Sequence, residues 1–297
     1  YEQAPAFSRI GAGIILSANV MKVLRRLGLE QMVVEIGIKA NCYVSRAWDT
    51  GDTMYRIDFD AESEARFGGP YANIHRGDLH AVLEKGVAPG SIAFNHRLVA
   101  LDETRDVIRL VFENGVVADA DIVIGADGVN SKVREYLLGG EPPRYVGMAA
   151  HRAIFPTTAL RGFQIPDCTK WWGPDRHILV YFMTSRRDEV YAIGVVPHAP
   201  FESDAASLPS SRAELLRCFD GFHAALRAAA RMTSLARSSR RCRKRNAIGS
   251  SPRSAAISSS RDSIANTLPC APSVRSAEVR TGIVSSRWLV IVHAGRS

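Results

Sequence analysis

The chain has 297 residues, 46% of them hydrophobic, and a formal net charge of +8. That length suits one large domain or two modest ones, and the composition is globular rather than fibrous or disordered. No apolar run approaches the roughly 20 residues that cross a bilayer, no signal-peptide pattern opens the chain, and Cys42, Cys168, Cys218, Cys242 and Cys270 form no CxxC pair, which argues against a zinc site or disulfide framework and for a reducing, cytoplasmic setting.

Taken in chain order, the first expected element is a helix. Asn19 reads as its N-cap, Val20, Leu24 and Leu27 fall on one face, and Gly28 stops it. Tyr55 to Phe59 alternates like a half-buried strand. Ile74 to Glu84 reads as a strand end running into a helix. A meander follows over 91–95, 97–102, 107–113 and 116–124, with Asn114-Gly115 as a hairpin turn. Strands are expected over Tyr145–Phe155, His177–Thr184 and Glu189–Val196, with Arg187-Asp188 at the last turn, and a helix over 209–230. Trp288 to Val292 has strand character but no obvious pairing partner. No internal repeat is present.

The net charge is unevenly placed. Residues 233–297 carry twelve lysines and arginines against only Asp262 and Glu278, a net of +10, which leaves residues 1–232 at −2. The same 65 residues hold 15 serines. Three readings compete for this tail: a nucleic-acid-binding arm centred on Arg240–Arg245, a solvated linker, or an out-of-frame translation product. The basic run has no interleaved aromatics to stack on bases, so nucleic acid is not the expected partner.

The most informative stretch is Asp121-Ile-Val-Ile-Gly-Ala-Asp127-Gly128-Val-Asn-Ser131-Lys-Val-Arg134. Ile122, Val123 and Ile124 read as a strand covered on both faces, Gly125 and Gly128 allow a sharp turn, and a polar helical turn opens at Ser131. A carboxylate on such a turn, beside free N–H groups, can hold the ribose and phosphates of a dinucleotide. On the residues alone, a plain strand-to-helix turn is an equal reading.

Gly125-Ala-Asp-Gly-x-x-Ser-x-Val-Arg134 resembles the DG motif of the FAD-dependent aromatic hydroxylases, the single-component flavoprotein monooxygenases. Four further segments fall in that family's order. Tyr1-Glu2-Gln3-Ala4 is similar to the end of its second strand. Gly11 to Ile14 and Asn19 to Gly28 resemble the following loop and helix, Ile74 to Leu79 resembles its arginine-bearing helix start, and Lys170 to Tyr181 resembles its hydroxynicotinate-acting members. The resemblance covers roughly residues 1 to 230. It implies an α/β fold: a partial Rossmann-like FAD-binding part over 1–144 without its first βαβ unit, a mixed substrate-domain sheet over 145–205, a helix over 206–232, and the basic tail over 233–297.

Two family strings have no counterpart here. Gly11-Ala-Gly13 is not the GxGxxG phosphate loop, because its third glycine position is Leu16. The downstream Gly-Asp-Ala-(Ala/Cys)-His-Pro string does not occur either. Without the first strand, buried backbone groups would lose partners at about 1–3 kcal/mol each, so the expectation is weak FAD binding and poor solubility.

The resemblance also implies site roles. Glu2 would accept from the adenosine ribose hydroxyls, with Gln3 beside it, and Leu98 would meet the adenine through its backbone. Arg76 would contact an FAD phosphate or the isoalloxazine edge; the plain alternative is a surface arginine paired with Asp78. Asp127 and Gly128 would serve FAD and the NADH or NADPH co-substrate. Cys168, His177 and Tyr181 would face the substrate, a small aromatic acid, with His177 and Tyr181 as catalytic groups. These last two, four apart on an expected strand, share a face. A histidine of ordinary pKa could relay the ring hydroxyl's proton. No metal is expected.

The implied reaction reduces FAD with NADH or NADPH, traps O2 as a flavin hydroperoxide and hydroxylates the ring, with loss of CO2 for a 6-hydroxynicotinate-like substrate. Salicylate-type hydroxylation is the alternative, because Ile15 stands where hydroxynicotinate-acting members carry a histidine. A non-catalytic fragment with a nucleic-acid-binding tail is the rival of another class.

Overall fold

The structure is a computed structural model. It describes residues 1–9, 11–140, 144–160, 164–200, 207–223, 236–240 and 288–292. Most of the basic tail, including 241–245 of the arginine run, and residues 224–232 of the expected helix lie outside the described residues.

A three-stranded sheet comes first, in the order β1 (Gly13–Leu16), β5 (Ala72–His75), β2 (Ile38–Lys39). Helices α1 (Ala18–Arg26), α2 (Glu30–Ile36) and α4 (Arg76–Lys85) accompany it. Leu16, Met21, Leu24, Val33, Ile74 and Val82 form their shared core. Gly13 to Leu16 is therefore a strand, not the expected loop. The cap of α1 is Ser17 rather than Asn19. Its buried face carries Met21 and Leu24, while Val20 and Leu27 are exposed. The helix starts two residues earlier than the side-chain pattern implies.

A second sheet has eight strands in the order β14 (Ser207–Ser210), β15 (Ala236–Arg240), β10 (Met148–Pro156), β13 (Glu189–Pro197), β12 (His177–Phe182), β11 (Cys168–Trp172), β3 (Cys42–Ala47), β4 (Thr53–Asp58). Among its described strands only the β3–β11 pairing is parallel; the other neighbours run antiparallel. Strands from 42–58 thus join those from 148–197. On one face, α6 (Arg212–Cys218) and the following Phe219 and Phe222 pack over Ile178, Val180, Ala192 and Trp171. Gly194 leaves room there for Phe219, whose ring lies 2.5 Å from where a β-carbon would stand. The expected half-burial of Tyr55–Phe59 does not hold along β4: every residue of the strand is exposed, because β4 is the sheet edge.

Strands β6 (Leu98–Glu103), β7 (Ile108–Phe112) and β8 (Val117–Ala120) form the meander, and Gly115 takes the left-handed conformation its hairpin requires (φ 83°). Residues 91–95 form no strand. Strand β9 (Ile122–Ala126) pairs antiparallel with β16 (Trp288–Val292), the partner the sequence did not reveal. Ile122 and Ile124 are each 50% exposed, so β9 is not covered on both faces as expected. α5 (Lys132–Leu138) packs on the other side through Val133, held close by Gly125, where a β-carbon would stand 2.5 Å from that of Val133. α3 (Ala61–Phe67) completes the helices among the described residues.

Candidate active site

The face of the eight-stranded sheet opposite α6 carries the polar groups. Side chains alternate along each strand, and the registers set which ones meet. Cys168 stands opposite Tyr181, and Trp172 opposite His177. Tyr43 and Ser45 lie beside Cys168 and Lys170 across the parallel pairing. Tyr181 faces Tyr191, and Arg152, two residues before Ile154, enters the same face from β10. Cys168, Tyr181, Tyr191 and Met183 share a buried cluster with Ala12. His177 and Tyr181 do share the expected face, separated by roughly 13 Å at about 3.3 Å per residue.

Burial sets the protonation states. Tyr181, 2% exposed, is pushed well above the usual tyrosine range by burial, and Tyr191 up to about 12. Burial likewise raises the Cys168 thiol, so all three stay neutral donors near pH 7. His177 is lowered to about 4 by burial and then by the Lys170 charge. The expectation of a histidine titrating near neutrality therefore changes: its ring is neutral across physiological pH, able to accept a hydrogen bond but too weak a base to hold a proton there. Lys170 is lowered to about 8 by burial. Its ammonium lies 3.4 Å from the Trp172 ring centroid, and that ring lies 5.2 Å from His177.

Arg76 opens α4 directly after β5, as its motif implied. The His75 imidazole accepts from Gly77 N at 3.1 Å and caps the helix. The plain alternative for Arg76 fails, because Asp78 is taken by Arg9 at 2.8 and 3.1 Å. The Arg76 Nε and Nη1 and the Arg152 Nε are buried with no hydrogen-bond partner. Burial, and then the nearby Arg152 charge, lower the Arg76 pKa. Gly11 (φ 141°) lets the backbone pass Arg76, whose Nε is 3.1 Å from where a β-carbon would stand. Orphaned buried guanidinium groups beside two tyrosines make an anion-receiving corner.

The remaining candidates gather elsewhere. Glu2 is buried; its backbone bridges Ala93 and His96, and its Oε1 accepts from Ala4 N at 2.8 Å. It forms an isolated bridge rather than the expected strand end. Gln3 is half-buried beside it. Leu98 is buried with Phe112 and Val133. Asp127 turns its carboxylate into its own turn, accepting from the Ser131 hydroxyl and from Lys132 N at 2.6 Å. Gly128 takes φ 84°, so only the backbone of this turn is presented. The sequence reading missed Arg152, Lys170, Ser45, Tyr43 and Tyr191, because their convergence depends on strand pairings between distant segments.

The polar face belongs to an α/β architecture with a large mixed sheet, and comparison with solved structures shows its fold. The fold matches that of HpxO from Klebsiella pneumoniae in complex with FAD and uric acid, with a TM-score of 0.65 at 23% identity, over 77% of this chain and 58% of that one. By sequence, the chain is 46% identical over 229 residues to the 6-hydroxynicotinate 3-monooxygenase of Bordetella bronchiseptica and 41% identical over 230 residues to that of Pseudomonas fluorescens. Each match covers 77% of this chain, which spans about three fifths (60%) of the length of those relatives. No protein-family profile matches. The resemblance to aromatic-ring monooxygenases is borne out, and the chain is homologous to them over its matched part. No described helix is long and apolar enough to cross a membrane.

Proposed function

We propose that this chain forms the larger part of an FAD-dependent monooxygenase that uses NADH or NADPH and O2 to hydroxylate an aromatic ring acid of the hydroxynicotinate type. The observation that carries this reading is the polar face that Cys168, Tyr181 and, further along the strand, His177 share, with the unpartnered Arg76 guanidinium close by.

The residues fit the cofactor in two places. Arg76 offers orphaned N–H donors to the electron-rich edge of a flavin, and Gly11, with no side chain, lets the backbone pack against its guanidinium and hold it in place. Tyr1, next to Glu2, and Val133, just past the Asp127-Gly128 turn, share a core cluster with Leu98, which suits these segments to the adenosine end. When bound, FAD supplies the redox and oxygen chemistry, while the protein positions and activates the ring. Tyr181 donates a hydrogen bond to the ring hydroxyl. His177 stands roughly 13 Å along the same strand face, beyond Lys170, where its neutral ring lines the other end of the site as a hydrogen-bond acceptor. Cys168, held as a thiol opposite Tyr181, closes the floor at that end of the face and excludes water.

Nicotinamide consumption tests this. Protein supplied with FAD should oxidise NADH or NADPH faster when 6-hydroxynicotinate is present, and His177→Ala should remove most of that stimulation. Ring acids that leave nicotinamide oxidation unchanged at saturating FAD would count against the reading.

A further inference from the structure

Lys170 and Ser45 stand side by side on the polar face, in register across the only parallel pairing of the large sheet. Neither has a role in the contacts just described. The Ser45 hydroxyl is completely buried and has no hydrogen-bond partner. The Lys170 ammonium rests on the Trp172 ring and, among the described residues, forms no ion pair. A half-buried cation beside an orphaned hydroxyl donor is a costly arrangement unless an anion accepts from both.

We propose that Lys170 and Ser45 form the pocket for the substrate's carboxylate, and that this pocket selects ring acids whose carboxyl and hydroxyl groups lie at opposite ends of the ring. The selection follows from register. Lys170 is two residues along β11 from Cys168, which stands opposite Tyr181. Two residues of strand span roughly 7 Å, close to the length of a ring with a substituent at each end. A carboxylate held at Lys170 and Ser45 directs an opposite hydroxyl toward Tyr181. An adjacent hydroxyl, as in salicylate, stays near Lys170 and out of Tyr181's reach. Trp172 adds an apolar wall beside the ammonium, which shields the ion pair from water and strengthens it.

This inference rests on the proposed ring-acid function, so its test separates the two. Binding of 6-hydroxynicotinate, 2-hydroxynicotinate and neutral 6-hydroxynicotinamide is measured calorimetrically with FAD present, for wild type, Lys170→Met and Ser45→Ala. A charge-assisted contact of this kind is expected to give the wild type at least about a tenfold preference for the acid over its amide. Lys170→Met should bring the two within about twofold by losing the acid alone, and Ser45→Ala should lose part of the preference. Retained amide affinity shows that each variant is folded. A Lys170→Met protein that keeps the full acid preference overturns the proposal. Equal binding of 2-hydroxynicotinate overturns the register argument. A wild type that binds both acid and amide without preference overturns the carboxylate pocket but leaves the ring-acid function standing. A wild type that binds none of the three overturns both.

Discussion

The Tyr181 hydroxyl occupies the space that a side chain on Gly13 would need: a β-carbon there would stand 2.6 Å from the oxygen and 2.8 Å from two ring carbons. Gly13 begins the small sheet and Tyr181 lies on the polar face of the large one, so this contact sets how closely the two approach. Gly13→Ala should displace the fully buried Tyr181 ring and destabilise the protein by about 1–3 kcal/mol in urea unfolding. Combined with Tyr181→Leu, its cost should be less than additive, because both changes act on one contact. Strict additivity would show that the contact does not matter.

His177 should titrate far below an ordinary histidine, near its value of about 4, with burial as the larger cause and the Lys170 charge as the second. Because the folded pKa is depressed, the unfolded chain binds the extra proton first as pH falls. The stability associated with neutral His177 is therefore complete above about 6.5 and is lost progressively toward 4. Imidazole NMR shifts followed against pH give the value directly. Lys170→Met should raise it; no movement would place Lys170 too far away to act.

Lys170 itself should weaken the fold at neutral pH. Its pKa of about 8 lies below the ordinary lysine value, so between about 8 and 10.5 the unfolded state holds more protons than the folded one. Stability from this group therefore rises with pH across that window. Lys170→Met should unfold at a higher temperature than wild type at pH 7, with the difference shrinking toward pH 10. A variant less stable at pH 7 would mean that the ammonium has a counter-charge.

Asp127 should matter to the fold as well as to any cofactor. Its carboxylate satisfies the first N–H of α5 and the Ser131 hydroxyl, while Ser131 accepts from Arg134 N at 3.0 Å. Asp127→Ala should cost about 0.5–2 kcal/mol even without FAD, whereas Asp127→Asn should cost less, since asparagine also caps. Equal stability of wild type and Asp127→Ala would leave the carboxylate free for a ligand.

Local pattern carried much of this structure. The turn at Asn114-Gly115, the strand-to-helix step at Arg76 and the shared face of His177 and Tyr181 are all decided by residues close in sequence. What pattern could not reveal was burial set from a distance. Ile122 and Ile124 look like interior residues, yet one side of β9 lacks cover among the described residues. Tyr55 and Ile57 alternate like a half-buried strand but lie on an edge. The Lys170–Ser45 pair arises from a parallel register between segments about 125 residues apart, for which neither segment holds a local signal. Arg152 was unreadable for the same reason: its isolation from carboxylates exists only once β10 and β13 have paired.

The most direct measurement of the central claim is isotopic. Protein supplied with FAD, NADH or NADPH, 6-hydroxynicotinate and ¹⁸O-labelled O2 should release a ring product carrying one labelled oxygen, detected by mass spectrometry, and His177→Ala should suppress it. Saturating FAD and ring-acid binding with no labelled product would contradict the account and leave the polar face as a binding site without oxygenase chemistry.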